Sequence, residues 1–190
     1  NQSRRPTLGR VFTMNKVLAI DTSTSRTSVA IIQDGKVLYS GFKDGATAHG
    51  PSLPALVQEA LAVSDVDEVV VGMGPGPFTG LRVGIAFAQS FALAREIPVR
   101  GVCSLDAIAG QIHESDFIVT VDARRKEVYW ARYTNGVRVA EPAVNFPADV
   151  TGATIHADLF PDMVSLVNLP GNITEPIYLR RPDAVATADR

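Results

Sequence analysis

A glycine- and proline-rich segment connects an apolar run to a helical pattern in the middle of this chain. Residues 68–71 read Glu-Val-Val-Val, which is typical of a buried strand, and residues 81–96 have the spacing of a helix. Three glycines and two prolines shape the connection: Gly74, Pro75, Gly76, Pro77 and Gly80. In α/β proteins a turn of this kind often holds a ligand or a partner. The segment therefore predicts an α/β protein and poses a choice between a phosphate cradle and a rigid platform for another protein.

Apolar runs and turn signals predict the order of the elements. Asp34-Gly35 and Asn135-Gly136 are strong hairpin signals, because these residues tolerate positive φ. The β-prone runs are residues 17–20, 28–33, 36–40, 68–71, 98–102, 117–121 and 127–133, and helical spacing covers residues 53–61, 81–96 and 105–112, the last with Ser104 as predicted N-cap. Three meandering strands followed by alternating helices and strands predict a mixed sheet with helices on both faces. Ribonuclease-H-like and actin-like ATPase domains share this order.

The chain divides into two predicted lobes. We expect a disordered leader or remnant at residues 1–13, an N-terminal actin-like lobe at 14–103, a smaller C-terminal lobe at 104–183 and a tail at 184–190. The leader contains arginines but no apolar stretch of the kind a secretory signal needs. After Pro142 the periodicity weakens, which predicts short elements in a reduced second lobe. No internal repeat is visible in the sequence.

Composition narrows the class of protein. The 190 residues carry a formal net charge of −2, so binding of nucleic acid would need a local basic patch rather than bulk charge. A single cysteine, Cys103, excludes a disulfide within the chain and favours a reducing, cytoplasmic setting, where we interpret it as a buried structural residue. No apolar run is long enough to span a bilayer, so we expect no membrane contact.

The two phosphate-loop candidates are incomplete. The Gly/Pro segment lacks the lysine of a P-loop, its nearest cation is Arg82, and Thr79 is a plausible N-cap for the following helix. Asp21 follows the first strand, as the acidic residue of an actin-like phosphate turn does, but no glycine accompanies it. Asp21, Ser23 and Thr24 therefore either satisfy turn backbone groups or contact a nucleotide.

Gly80, Gly84 and Ala88 lie four residues apart and share one face of the predicted helix. Small residues let another element approach closely. The row either packs on the protein's own sheet or forms an interface between chains. On the second interpretation, we expect a tryptophan at position 84 to leave the monomer folded while blocking a partner.

The remaining polar residues do not form a catalytic or metal-binding motif. His49, His113 and His156 show no paired spacing, and no nucleophile elbow is present, so we predict no catalytic residue and no metal ligand. The segment 122–127 is either a solvated charged turn or a contact region. In the second case Asp122 mirrors a second phosphate turn, and Arg124, Arg125 and Lys126 meet a nucleic acid or a partner's carboxylate.

Three blocks taken together resemble the bacterial TsaB family, also called YeaZ. They are LAIDTST at residues 18–24, GPGPFTGLRVG at 74–84 and DARRKEVY at 122–129, with a weaker match, EPIYLR, at 175–180. The family usually has G-P-G-S-F-T-G-x-R-x-G in the second block and D-A-R-x-x-E-V-Y in the third. Pro77 departs from the usual serine, which stiffens the loop and removes one N–H. The C-terminal lobe is shorter than the family leads us to expect.

The resemblance implies an actin-like ATPase fold and a function. It implies a non-catalytic scaffold needed for threonylcarbamoyl transfer to the adenosine beside the tRNA anticodon, acting by binding a TsaD-type catalytic subunit, with a TsaE-type ATPase as third member. Alone, such a chain is expected to form a homodimer, to contact tRNA only indirectly, and to have no cofactor of its own, with ATP or ADP at the interface with the catalytic partner as a possibility. The expected interface residues are Gly76, Phe78, Thr79, Gly80, Arg82, Gly84 and Ala88.

Two other functions fit parts of the sequence. A stand-alone actin-like ATPase or small-molecule kinase would use Asp21, but the first turn lacks glycine and the second lobe is short. A peptidase would need a nucleophile or a metal set, and neither is evident.

Overall fold

The computed structural model describes residues 15–180, and its first half is one mixed sheet with two helices. Strand order is β3-β2-β1-β4-β5; the first three strands form an antiparallel meander, and β4 and β5 run parallel to β1. The elements are β1 Lys16–Asp21, β2 Arg26–Gln33, β3 Lys36–Asp44, α1 His49–Val63, β4 Glu68–Gly72, α2 Phe78–Arg95 and β5 Val99–Val102. This is the ribonuclease-H-like order that the sequence predicts.

The second half repeats the same pairing scheme in shortened form. Strand β7 is antiparallel to β6 and β10 is parallel to β6, as β2 and β4 are to β1. The elements are α3 Ser104–Ala109, β6 Asp116–Asp122, β7 Val128–Thr134, β8 Val137–Arg138, β9 Ala143–Asn145, a 3-10 turn Pro147–Asp149, β10 Thr154–His156 and α4 Met163–Asn168. The repeat thus lies in topology, although the sequence shows none.

Helices cover both faces of the first sheet, as predicted. Leu18 and Ile20 point to the face that α1 and α2 cover, while Val17 and Ala19 point to the face covered by Ala107 of α3 and Leu166 of α4. Because neither face meets water, the central strands are continuous apolar runs rather than alternating ones. The predicted α/β, actin-like fold with helices on both faces is confirmed.

The helix starts differ from the predictions. Helix α2 begins at Phe78 with Pro77 in the N-cap position, so Thr79 lies inside the first turn and caps nothing. Proline fixes the entry angle, and its carbonyl accepts the Leu81 N–H at 3.0 Å. In α3 the N-cap is Cys103, and Ser104 is the first helical residue. The Ser104 hydroxyl instead donates to Asp21. The predicted N-caps at Thr79 and Ser104 are therefore both wrong.

The C-terminal segment returns to the first sheet. The guanidinium of Arg100 donates to the carbonyls of Val167 and Leu169 at 2.5 and 2.6 Å. The Ile177 N–H then donates to the Met73 carbonyl at 2.8 Å. The division between residues 103 and 104 remains a prediction, and the predicted leader at 1–13 and tail at 184–190 lie outside the described residues.

Candidate functional site

The Gly/Pro loop passes unusually close to the turn after β1. A Cβ added at Gly76 would lie 2.4 Å from the Ser23 carbonyl oxygen, and one at Gly72 would lie 1.8 Å from Asp21 Oδ2. Both positions therefore require glycine because the backbone approaches another segment. The two turns form one packed unit at the end of the first sheet.

Both oxygens of the Asp21 carboxylate accept hydrogen bonds from other residues of the chain. Its carboxylate is 1% exposed; Oδ1 accepts hydrogen bonds from the Ser23 N–H at 2.9 Å and hydroxyl at 2.7 Å, and Oδ2 accepts from the Ser104 hydroxyl at 2.6 Å. Burial raises the pKa of Asp21, against the opposing effect of these hydrogen bonds. Asp21 and Ser23 thus stabilise the turn. Of the three residues predicted to contact a nucleotide, Thr24 lines an open cleft.

The small-residue row of α2 faces inward. Thr22 Oγ1 donates to the Gly80 carbonyl at 2.8 Å and accepts from the Gly84 N–H at 3.1 Å. A Cβ at Gly84 would lie 2.4 Å from that oxygen, and one at Gly80 would lie 3.0 Å from the His49 ring. Ala88 is fully buried. These three residues are therefore packed within their own chain, and the prediction that position 84 tolerates tryptophan is wrong.

Of the other predicted interface residues, Gly76, Phe78 and Thr79 line a cleft, and Arg82 lies beside it. Gly76 is buried, Phe78 is half-buried, and Thr79 and Arg82 are exposed. The Phe78 ring lies 4.9 Å from the Tyr178 ring, and the Arg82 guanidinium lies 5.2 Å from the Phe78 ring centre. The structure brings Thr24 and the start of α2, including Gly80, together at one opening, which Gly84 and Ala88 do not line.

The cleft lies between the two sheets and has a volume of about 560 Å³. One wall is the start of α2 with His49 of α1, whose Nδ1 is 2.8 Å from Thr27 Oγ1. The opposite wall is the β6–β7 turn together with Tyr129, Tyr178 and Arg180. Its size is that of a small-molecule site.

The β6–β7 turn mirrors the Asp21 turn but is basic and strained. Asp122 Oδ1 accepts the Arg124 N–H at 2.9 Å, as Asp21 accepts that of Ser23. Arg124, Arg125 and Lys126 have φ values of 63°, 55° and 63°. Each such non-glycine residue costs roughly 1–2 kcal/mol. Strain of this kind persists where neighbouring contacts enforce it, and it clusters at functional sites.

Arg180, which comes from the C-terminal segment, stabilises the β6–β7 turn. Its Nη1 donates to the Ala123 carbonyl at 2.9 Å, and its guanidinium forms an ion pair with Glu127. The Glu127 N–H donates to the Arg124 carbonyl at 3.0 Å, which closes the turn. The C-terminal segment therefore fixes the basic wall of the cleft.

The outer face of α2 is a feature that the sequence interpretation missed. Residues 83–94 carry no charge, although much of this stretch is at the surface. Leu93 is 81% exposed, Ala86 and Ser90 are exposed, and the half-buried rings of Phe87 and Phe91 stack at 5.9 Å. An uncharged run this long on a helix is the signal that could have identified it, because a solvated helix face normally carries charge.

The titratable residues of the sequence analysis are dispersed. Among residues 15–180, no group of three or more His, Cys, Asp or Glu side chains could hold a metal ion, and no helix has the length and apolarity to cross a bilayer. His113 is exposed and His156 lies 2.9 Å from Glu114. Cys103 is buried, which raises the pKa of its thiol to about 12. The interpretation of Cys103 as a structural residue is thus confirmed.

Comparisons with known proteins place the chain in a family. The family model described as "TsaD: tRNA N6-adenosine threonylcarbamoyltransferase" matches residues 44–170. An uncharacterized protein of Mycobacterium tuberculosis is 45% identical, covering 90% of this chain and 94% of that protein. The tRNA threonylcarbamoyladenosine biosynthesis protein TsaB of Escherichia coli is 38% identical, covering 62% of this chain and 54% of that protein. The chain thus spans about half the length of this TsaB relative.

A solved structure agrees with these matches. It is a Pseudomonas aeruginosa protein described as uncharacterized with similarity to peptidase YeaZ, and it covers 88% of this chain and 100% of its own at 27% identity with a TM-score of 0.75. The chain belongs to the TsaB (YeaZ) family, within the wider family that the TsaD model describes.

Proposed function

We propose that this chain is a non-catalytic subunit of the machinery that makes threonylcarbamoyladenosine in tRNA, and that it binds a TsaD-type catalytic subunit through the outer face of α2. The names of the TsaB relatives, biosynthesis proteins of tRNA threonylcarbamoyladenosine, support the pathway. The observation that carries the docking role is the uncharged, exposed stretch at residues 83–94. A TsaE-type ATPase joins the complex, and tRNA contacts the catalytic subunit rather than this chain.

The chemistry of this face suits a protein partner. Leu93 offers an apolar side chain to water, while the small side chains of Ala86 and Ser90 leave the helix surface flat. Exposed apolar patches mark protein interfaces, and small residues allow a second helix to approach closely. Arg82 at one end and Arg95 at the other supply a charged rim.

The state of Asp21 supports a non-catalytic role. An actin-like ATPase would use an acid at this position to organise a metal-bound nucleotide. Here both carboxylate oxygens accept hydrogen bonds from Ser23 and Ser104, and the side chain is buried. Turnover of ATP by the isolated chain, lost in Asp21→Ala, would instead favour a stand-alone ATPase or kinase.

The same face pairs with itself when the partner is absent. A self-complementary helix face produces a two-fold dimer, and we therefore expect a homodimer in the isolated chain. The complex works in the cytoplasm, an assignment that the lone, buried Cys103 supports.

An arginine at position 86 tests the docking face. Ala86→Arg places a charge on the exposed, uncharged face of α2, so we expect at least a tenfold loss of TsaD capture in co-purification. Ala148→Arg, at an exposed alanine in the 3-10 turn, is the matched control and keeps full capture. Equal capture by both variants would refute the assignment of the face.

A reconstituted tRNA assay tests the function itself. TsaD, TsaE and this chain, supplied with tRNA, ATP and an activated threonylcarbamoyl donor, should form threonylcarbamoyladenosine. Omission of this chain, or the variant Ala86→Arg, should reduce the yield in step with capture. Full modification without this chain would contradict the scaffold role.

A further inference from the structure

We infer that strand β3, at the edge of the first sheet, docks an extended segment of another protein in which apolar and acidic residues alternate. The inference goes beyond the proposed function, because it assigns a second interaction surface on an element other than α2. It rests on the open edge of β3, on an apolar groove beside that edge and on the charges along it.

The edge of β3 is long and regular. Strand β3 is the end strand of the order β3-β2-β1-β4-β5, and no strand among residues 15–180 pairs with its outer edge. Its nine residues, Lys36–Asp44, pair with β2 along their length, with a bulge at one end. The backbone N–H and C=O groups that point away from β2 are therefore open to one further strand. A protein segment that adds to such an edge gains main-chain hydrogen bonds.

An apolar groove of about 350 Å³ lies beside this edge, on the face of the sheet that carries α4. Val37 and Phe42 of β3 line it and are 47% and 54% exposed. Phe160 and Met163, at the start of α4, line the other side. Because side chains alternate along a strand, every second residue of an added strand would point toward this groove. The groove therefore favours apolar residues at those positions.

Arg26 holds the aromatic end of the groove in place. Its guanidinium lies 3.9 Å from the ring centre of Phe42 and 3.8 Å from that of Phe160. It also donates to both carboxylate oxygens of Asp44, at 2.7 and 3.1 Å. Stacking of a guanidinium on aromatic rings is favourable. Phe42 is thus ordered although half of it is exposed, so little side-chain entropy is lost when a segment packs on it.

The charges along the edge select an acidic segment. Lys36 and Lys43 lie near the two ends of β3, are exposed, and form no ion pair within residues 15–180. Each is next in sequence to a groove residue, Val37 or Phe42, so the pleat places both lysines on the opposite face. An added strand therefore meets apolar groups on one face and positive charges on the other. Alternating apolar and acidic residues are complementary to that pattern.

The same charges disfavour a second copy of this chain as the occupant. A second β3 would bring two more lysines, and its acid, Asp44, is already paired with Arg26. Lysines on an edge strand are a common protection against pairing between identical edges. The occupant that fits is therefore a segment of a different protein.

Anisotropy titrations of the isolated chain with labelled peptides test the edge. The probe is an eight-residue peptide that alternates valine and glutamate, and we expect it to bind. A peptide that alternates valine and lysine should bind about tenfold more weakly, because its charges repel the edge. A valine–glutamate peptide with a central proline should bind about fivefold more weakly, since proline lacks the N–H that pairs with the strand.

Two variants locate the binding. Phe42→Ser should weaken the valine–glutamate peptide about fivefold, because it removes the main apolar contact at the edge. Lys43→Glu should reverse the preference between the acidic and the basic peptide. Val137→Ser removes an exposed apolar side chain of β8 outside the groove and should leave binding unchanged. Thermal melting checks that each variant folds.

Several results would overturn the assignment. They are no binding of the valine–glutamate peptide, equal binding of the acidic and basic peptides, or equal binding of the peptide with proline. Self-association of the chain that Phe42→Ser abolishes would assign the edge to a second copy instead. Phe42→Ser should still capture TsaD, and Ala86→Arg should still bind the peptide, so failure of this edge and failure of the α2 face are distinguishable.

Discussion

At the scale of single residues, Asp21 shows how a candidate catalytic group becomes a structural one. The carboxylate joins the end of β1 to the start of α3, because it accepts from Ser104, 83 residues away in sequence. Gly72 leaves the space that the carboxylate fills. An aspartate after a strand is compatible with catalysis, but its hydrogen-bond partners decide its use.

The buried Asp21 gives a pH dependence of defined sign. Burial raises its pKa, so the folded state holds the proton more tightly than the unfolded chain, and the stability it contributes is lost as pH rises from about 4 through the raised pKa. As pH rises through this range, the free energy of unfolding of Asp21→Asn, measured in urea, should therefore increase relative to that of the unmodified chain. Parallel curves for the two proteins would contradict the assignment.

Asp44 is the control of opposite sign. Its hydrogen bonds to Arg26 lower the pKa of its carboxyl, so its contribution is present above about pH 4 and is lost as pH falls through the lowered pKa. Asp44→Asn should therefore lose stability relative to the unmodified chain as pH rises, in contrast to Asp21→Asn.

At the scale of elements, α2 has two faces, and the spacing of its residues does not tell which face packs inside the chain and which could meet another protein. The row of Gly80, Gly84 and Ala88 identifies a face of close approach, and both a neighbouring turn and a second protein satisfy that pattern. The structure shows that Thr22 and His49 occupy it. The exposed face presents Leu93 beside the small residues Ala86 and Ser90 and carries no charge, and the docking proposal therefore belongs to that face.

Gly84→Ala tests the inner packing. The added methyl would lie 2.4 Å from a Thr22 hydroxyl that two hydrogen bonds hold in place, so we expect a loss of about 1–3 kcal/mol in unfolding free energy. Gly50→Ala in α1 meets nothing within 4 Å and should be neutral or stabilising by up to about 1 kcal/mol. Thermal and urea unfolding of both variants measure the difference. Equal stability of the two would show that Thr22 can yield.

At the scale of the whole molecule, the C-terminal segment links the two halves. It packs α4 on the first sheet, bonds to Gly101 and Met73, and ends at Arg180 on the basic turn. A shortened second half is thereby stabilised by the first, and the cleft walls are held in relation to each other.

Arg100→Ala tests this link. Its side chain is 25% exposed, and its guanidinium donates to Glu68 and to the carbonyls of Val167 and Leu169, so removal should cost about 2–3 kcal/mol. Amides of residues 163–177 should lose protection first in hydrogen exchange. The surface pair of Arg95 with Asp65 is the matched control, and Arg95→Ala should cost at most about 1 kcal/mol. Equal costs for the two variants would contradict a special role of Arg100.

The fold was predictable from local patterns, and the site only in part. Asp34-Gly35 and the apolar runs specified the meander and the buried strands, since φ preference and hydrophobicity act over a few residues. The assigned caps at Thr79 and Ser104 failed because Pro77 and the Asp21 carboxylate compete for those positions. Several residues of the cleft were identified one by one from the sequence, but the sequence did not predict that they lie around the same cleft.

By itself, the sequence determined the order of strands and helices as far as β7, the glycine–proline loop and the family, because each depends on residues that are neighbours along the chain; the elements after Pro142 were not predicted individually. Only the tertiary structure decided which face of α2 is exposed. It also decided that the Asp21 carboxylate accepts a hydrogen bond from Ser104 and that Arg180 donates one to the basic turn. These outcomes depend on contacts between segments tens of residues apart, whose geometry is set by packing rather than by local preference.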